Sequence, residues 1–144
     1  MTDIEMMEKA LIIATELHKG QLDKGGNPYI LHPISVAKML ETPEQKCVGY
    51  LHDTIEDCNI DADFLLNEGF SEEIVNAVIT LSKIKGESLN KYKKRVKRNP
   101  LAREVKKADL KHNMDISRIP NPTEKDFNRI EKYKEFLKYL EKSS

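Results

Sequence analysis

The sequence predicts an all-α fold: one helical domain of about seven or eight helices over residues 1–144. Apolar residues recur at intervals of three and four almost throughout, which is the period of an amphipathic helix. No segment shows the strict alternation of a half-buried strand. Proline, glycine and capping residues separate the periodic segments. A chain of 144 residues with 39% hydrophobic content is the size of one domain with one core.

Four helices are predicted in the N-terminal half. The first is amphipathic, with Asp3 as its N-cap. Pro33 and Pro43 begin the second and third, since proline is favoured in the first turn of a helix. Either Asp61 or Asp63 begins a short fourth helix. These helices are predicted over residues 3–19, 33–40, 44–56 and about 61–66.

Four more helices are predicted in the C-terminal half. Ser71, followed by two glutamates, is a strong helix start. Gly86 interrupts the pattern, and a basic helix follows from about Ser88. Pro100 restarts the chain, and Thr123 caps the last helix. These helices are predicted over residues 71–81, 88–97, 100–116 and 123–140.

Composition excludes several classes of protein. No apolar run approaches the roughly 20 residues that a membrane span needs, and the N-terminus is too acidic for a signal peptide. Cys47 and Cys58 are the two cysteines, too few for a disulfide framework. The sequence therefore favours a reducing cytoplasm.

Charge is unevenly distributed, although the net charge is zero. Residues 83–111 contain 12 Lys/Arg and three Asp/Glu, a net charge of +9, so the remaining residues carry −9. A basic segment beside acidic residues suits a small polyanionic ligand. It is also compatible with an ordinary solvated, lysine-rich helix face.

The most informative segment is Leu51–Asp57, which concentrates one imidazole and three carboxylates. On a helix, His52 and Glu56 would share one face, and Asp53 and Asp57 a neighbouring one. Acids this close repel one another unless a cation lies among them. Because the flanking residues are apolar enough to be buried, the segment indicates a metal site.

Four residues are candidate metal ligands: His32, His52, Asp53 and Asp109. Two imidazoles and two carboxylates suit Mn²⁺ or Fe²⁺, whereas zinc would more often take a cysteine or a third histidine. Each candidate alone has a simpler interpretation; Asp109, for example, could pair with Lys106. Their order along a helical chain favours the metal site.

Four segments resemble those of HD-domain metal-dependent phosphohydrolases, and most of all the alarmone hydrolase domains of RelA/SpoT proteins and their small stand-alone relatives. The resemblance covers roughly residues 10–140. The matching segments are His18–Gln21, Pro28–Pro33, Leu51–Asp57 and Ala108–Met114.

This resemblance implies roles for ten residues. His32, His52, Asp53 and Asp109 would be the metal ligands, and Glu56 and Asp57 the catalytic acid pair beside the attacking water. The residues implied in nucleotide binding are Lys24, Asn113, Arg129 and Tyr133. The roles of His18, His112 and Ser117 stay open between support of the site and ordinary structural use.

Two departures from the family pattern concern base recognition. Asp23 stands where the alarmone hydrolases commonly have arginine, and the segment Asp109–Asn113 lacks the cation that usually follows the aspartate. An aspartate cannot stack on guanine, although it could accept from an exocyclic amine. The departures therefore affect the expectation of guanine specificity and leave the expectation of hydrolysis unchanged.

The resulting hypothesis is a Mn²⁺-dependent hydrolase that removes the 3′-pyrophosphate from (p)ppGpp or a close analogue such as ppApp. An alternative is a nucleotidase or a 2′- or 3′-phosphatase acting on another nucleotide. A third possibility is a nucleic-acid-binding or protein-binding module with a structural metal, which is disfavoured because such a site has no use for Glu56 and Asp57. Oligomeric state is not predicted.

Overall fold

The computed structural model describes residues 1–142, and the all-α prediction is confirmed within that range. No strand is present among these residues, although a β-bridge joins Leu22 and Pro28. The helices are α1 Asp3–Leu17, α2 Leu31–Lys38, α3 Pro43–Leu51, α4 Thr54–Asp57, α5 Ala62–Asn67, α6 Glu72–Leu81, α7 Leu89–Arg98, α8 Pro100–Asn113 and α9 Glu124–Glu141. A 3₁₀ turn, Ile116–Arg118, lies between α8 and α9.

Side-chain caps mark most of the helix starts, although α2 and α4 have none, and two of the caps refine the sequence prediction. The Asp61 carboxylate accepts a hydrogen bond at the start of α5, so Asp61 rather than Asp63 is the cap. The prediction that Asp3 caps α1 is wrong. Thr2 is the cap, and it forms a reciprocal capping box with Glu5, which leaves Asp3 as the first helical residue.

The predicted helix over residues 44–56 is interrupted, so residues 1–142 contain nine α-helices, one more than the eight predicted segments. Helix α3 ends at Leu51 because side chains take its last carbonyl groups. His52 Nδ1 donates to Gly49 O at 2.7 Å, and the Thr54 hydroxyl donates to Leu51 O at 2.7 Å. Such local side-chain bonds compete with helix continuation.

Helices α3 and α8 form the centre of the molecule. Helix α3 packs against α1, α2, α6 and α8, while α8 also packs against α2, α6, α7 and α9. Helices α2, α3, α6 and α8 bury apolar side chains fully in this core, among them Val36, Val48, Leu51, Val78 and Val105. Burying one such side chain contributes about 1.5–3 kcal/mol to stability. No helix of the described chain is long and apolar enough to cross a membrane.

Gly49 permits the close approach of α2 and α3. A Cβ atom at this position would lie 3.0 Å from Leu40 Cδ1 and 3.2 Å from Ala37 Cα. This approach places His32, in the first turn of α2, beside His52 at the end of α3. Their ring centroids are 5.3 Å apart. The packing of two core helices therefore brings together two of the predicted ligands.

Candidate active site

Asp109 connects the two histidines. Its Oδ1 atom lies 2.8 Å from His32 Nε2 and 3.4 Å from His52 Nε2, and it accepts a hydrogen bond from Asn113 Nδ2 at 3.1 Å. Its Oδ2 atom pairs with Lys106 Nζ at 3.0 Å. Burial opposes ionisation of this carboxyl, but Lys106 and the two imidazoles hold its pKa well below the usual range. Asp109 is therefore a buried carboxylate.

Asp53 completes the predicted ligand set. Its Oδ2 atom lies 3.0 Å from His52 Nε2 and also accepts a hydrogen bond from the Tyr29 hydroxyl. Burial acts to raise the pKa of Asp53, but the His52 imidazole outweighs this effect and lowers it to about 2. The structure thus places His32, His52, Asp53 and Asp109 in one contiguous cluster.

The two ring nitrogens of His52 have different surroundings. Its Nδ1 atom faces the Gly49 carbonyl, which can only accept, so Nδ1 carries the proton. Nε2 is buried and has no aligned hydrogen bond, yet it faces the carboxylates of Asp53 and Asp109. Burial opposes protonation, but these carboxylates raise the pKa of His52 well above its usual value. A lone pair facing two carboxylates requires a proton or a metal ion between them, and the residues therefore fit a divalent metal.

Asp53 also belongs to a second acidic group with Glu56 and Asp57, whose oxygen atoms lie within 4.8 Å of one another. One turn of backbone, α4, carries both acids of the predicted catalytic pair. Glu56 Oε1 accepts from the Lys83 backbone N–H at 3.0 Å. Burial, with the charges of Asp53 and Glu56, raises the pKa of Asp57. Asp57 is thus suited to hold a proton closer to neutral pH than an ordinary aspartate.

Two adjoining cavities meet at this cluster. The inner one, of about 230 Å³, is lined by the four predicted metal ligands, Glu56 and Asp57. The outer one, of about 350 Å³, is lined by all four residues predicted to bind substrate: Lys24, Asn113, Arg129 and Tyr133. Asn113 and Tyr133 line both cavities. The combined space is that of a small-molecule site rather than a groove for a polymer.

Cations are concentrated in the outer cavity. Arg129 pairs with Asp126 at 3.2 Å, and Arg118 lines the same space. Burial and the nearby Arg129 charge lower the pKa of Lys24. Neighbouring cations that repel one another are typical of a site for an anionic group. The basic run Lys91–Arg98, by contrast, contributes no lysine or arginine to the lining of either cavity, whereas Lys83 lines the inner one.

The residues whose roles were left open are now placed. His112 Nδ1 lies 2.7 Å from His32 Nδ1, so His112 supports a predicted ligand. His18 is buried behind Tyr29 and bonds Gln21, which is a structural use. Ser117 donates to Asp115 and lines neither cavity.

Asp23 does not present a free carboxylate for reading a base. Its Oδ1 atom accepts from the backbone N–H groups of Gly25 and Asn27, both at 2.9 Å. Its Oδ2 atom lies 3.8 Å from Arg118 Nη2. Asp23 therefore shapes the loop between α1 and α2 and faces an arginine.

Sequence reasoning assigned no role to Tyr29 or Arg118 and gave Lys106 only as a possible partner of Asp109. Tyr29 lies in the matching segment Pro28–Pro33, three residues before His32, and this position is the sequence signal that could have identified it. Lys106 is three residues before Asp109, one helical turn away. Arg118 had no comparable local signal, because its contacts are made by the fold.

Comparisons with known proteins agree with this geometry. The HD domain family model matches residues 10–118. A Borreliella burgdorferi protein named guanosine-3′,5′-bis(diphosphate) 3′-pyrophosphohydrolase is 41% identical over 80 residues, covering 53% of this chain and 12% of its own. A Mycobacterium leprae protein named probable GTP pyrophosphokinase is 30% identical over 133 residues, covering 83% of this chain and 17% of its own.

A solved structure shares the fold. It is described as a metazoan ortholog of SpoT that hydrolyses ppGpp, and it superposes with a TM-score of 0.75 at 18% identity. The match covers 94% of this chain and 85% of that one. The chain spans less than a fifth of the length of the curated relatives named above. Because the family model matches most of its length, the chain belongs to the HD domain family.

Proposed function

We propose that the chain is a Mn²⁺-dependent hydrolase that removes the 3′-diphosphate of (p)ppGpp or of a close analogue such as ppApp. The observation that carries this proposal is the buried Nε2 atom of His52, which faces two carboxylates without an aligned hydrogen bond. The names of the relatives in Borreliella burgdorferi and among metazoans support the choice of reaction. Manganese is proposed because two imidazoles and two carboxylates suit it.

The proposed metal ligands are His32, His52, Asp53 and Asp109. A bound divalent ion would polarise a phosphoryl oxygen and lower the pKa of an attacking water. Lys106 would keep Asp109 ionised, since the two groups form a buried pair. Tyr29 would orient Asp53 through its hydroxyl hydrogen bond.

Glu56 and Asp57 would move the protons. One of these carboxylates accepts a proton from water as the water oxygen attacks the phosphorus bonded to the 3′ oxygen. The bond between that phosphorus and the 3′ oxygen breaks, pyrophosphate leaves, and the other acid or solvent supplies a proton to the 3′ oxygen. Glu56 is held by the Lys83 N–H, and Asp57 has the raised pKa.

The cations that line the outer cavity favour a substrate that carries negative charge at both ends. Lys24 and Arg129 would bind a second phosphate group away from the metal cluster, and Asn113 and Tyr133 line the passage between the two cavities. A nucleotide carrying both a 5′- and a 3′-diphosphate has this distribution of charge. This feature favours (p)ppGpp over nucleotides with a single phosphate.

Incubating the protein with Mn²⁺ and a panel of nucleotides tests the proposal. We expect release of pyrophosphate from ppGpp or ppApp and little turnover of 3′-AMP or 5′-GMP. Release of inorganic phosphate from singly phosphorylated nucleotides would instead favour a nucleotidase or phosphatase. No turnover of any nucleotide by metal-loaded protein would remove the enzyme assignment. Salt-sensitive nucleic-acid binding that survives Asp53→Ala would then favour a binding module.

His112 provides a test of the metal assignment that needs no substrate. Burial, followed by the charges of Arg118 and His32, lowers the pKa of His112 to about 4, so this ring is neutral and can accept from His32 Nδ1–H. We expect His112→Phe to weaken Mn²⁺ binding by about 10–100-fold, the usual effect of losing a partner that orients a ligand. His112→Asn keeps an acceptor and should lose less. Equal affinities in calorimetric titrations of both variants and the wild type would contradict this role.

A further inference from the structure

Asp23 and Arg118 join the loop between α1 and α2 to the turn after α8. Asp23 Oδ1 is occupied by two backbone N–H groups of its own loop, whereas Oδ2 faces Arg118 Nη2 at 3.8 Å. The backbones also touch: a Cβ atom at Gly25 would lie 2.6 Å from the Arg118 carbonyl oxygen. Only glycine permits this approach without a shift. The loop is therefore docked on Arg118 by both side-chain and backbone contacts.

The other side of the Arg118 guanidinium is bound to the end of α8. Nη1 donates to His112 O at 3.1 Å and to Asn113 Oδ1 at 3.3 Å. The side chain is 23% exposed, so these bonds are partly shielded from water. Arg118 is thus fixed between Asp23 and Asn113.

These contacts determine which way the Asn113 amide faces. An arginine can only donate, so the amide atom nearest to it must be the carbonyl oxygen. The NH₂ group is then directed to Asp109 Oδ1, at 3.1 Å. The reversed amide would place NH₂ against the guanidinium and oxygen against a carboxylate, and both contacts would be repulsive. Arg118 therefore selects the amide orientation that donates to Asp109.

We propose that Arg118, held by Asp23, is a positioning residue that acts through Asn113 to orient the Asp109 carboxylate for metal binding. The inference rests on the proposed function, because it takes Asp109 as a metal ligand. It assigns a use to one of the two departures of this chain, Asp23, whose carboxylate faces Arg118. The competing role for Arg118 is direct contact with a substrate phosphate, since it lines the outer cavity.

A double-mutant cycle on metal binding separates these roles. The variants are Arg118→Met, Asn113→Ala and the double variant, each stripped of metal and titrated with Mn²⁺ in the absence of nucleotide. We expect each single change to weaken Mn²⁺ binding by about tenfold, the low end for a lost orienting partner. The double variant should bind no more weakly than Asn113→Ala alone, because Arg118 acts through that residue. Arg118→Lys keeps a donor and should recover part of the loss.

Arg103→Met is the matched control: this partly exposed arginine of α8 pairs with Glu104 rather than with a predicted ligand, and its variant should bind Mn²⁺ as the wild type does. If the losses of Mn²⁺ affinity in the two single variants multiply in the double variant, the inference is overturned. It is also overturned if Arg118→Met binds Mn²⁺ as tightly as the wild type and only its KM for the nucleotide is raised. A wild type that binds no Mn²⁺ would overturn the metal assignment as well, so the two failures are distinguishable. If Arg118→Met does not fold, Asp23→Asn replaces it in the cycle. That change keeps the loop acceptor but turns an NH₂ group toward Arg118, and a loss that persists in the Asn113→Ala background would count against the proposal.

Discussion

Replacing Asp57 with asparagine is expected to lower kcat by about two to four orders of magnitude while leaving Mn²⁺ bound. The amide has nearly the same shape but cannot accept or donate the proton at this position. Asp57 is the stronger candidate of the acid pair for holding a proton, because burial and the neighbouring carboxylates raise its pKa. Steady-state kinetics with ppGpp would measure kcat, and a calorimetric titration would measure Mn²⁺ binding.

Glu56→Gln should also lower kcat, and substitutions of two exposed acids supply controls. Glu131→Gln and Asp63→Asn make the same chemical changes on the surface and should leave kcat unchanged. If Asp57→Asn and Glu56→Gln both retain activity within a few-fold of the wild type, the assignment of the acid pair is wrong. Loss of Mn²⁺ binding in either variant would instead place that residue among the metal ligands.

Lys106→Met is expected to destabilise the metal-free protein by about 3–5 kcal/mol, the usual cost of removing one partner of a buried ion pair. Lys106 is 15% exposed and its partner Asp109 is 7% exposed. Burial disfavours the charged lysine, but the Asp109 charge raises its pKa above the usual value. Methionine has a similar volume, so the loss reports the charge rather than a cavity. Urea denaturation monitored by circular dichroism gives the free energy of unfolding.

Lys107→Met, at the next position, is the matched control. Lys107 pairs with Glu104 at 3.2 Å, but this pair is more exposed, and such pairs contribute about 0–1 kcal/mol. Saturating Mn²⁺ should restore part of the stability of Lys106→Met, since the ion supplies positive charge beside Asp109 and binds the folded state. Equal destabilisation by the two substitutions would show that Lys106 does not compensate a buried charge.

The order of the predicted ligands along the chain, together with the family resemblance, identified the residues that the fold brings together. His32, His52 and Asp109 come from three helices or helix ends, and no local pattern states that α2, α3 and α8 pack on one another. The resemblance supplied that information. The helix periods themselves predicted the all-α class, because apolar spacing reports directly on which face of a helix is buried.

The interruption after Leu51 was not predictable from periodicity. The apolar pattern continues through Ile55. Helix α3 nevertheless ends at Leu51, because His52 and Thr54 bond to carbonyl groups within the same turn. The role of Arg118 was not predicted, for a different reason. Its role depends on Asp23, 95 residues before it, and on Asn113, five residues before it. Only the fold places all three residues together.

The double use of His52 limits how this protein can change over evolution. One nitrogen bonds a carbonyl group at the end of α3, while the other faces the proposed metal ligands Asp53 and Asp109. A cysteine or an aspartate could bind a metal, but neither offers a second, opposed donor for the Gly49 carbonyl. Exchanging this residue for another ligand type would therefore alter the backbone as well as the site. A shift in metal preference within this lineage would be expected to arise at Asp53 or Asp109, where ligand identity and helix ending are separate properties.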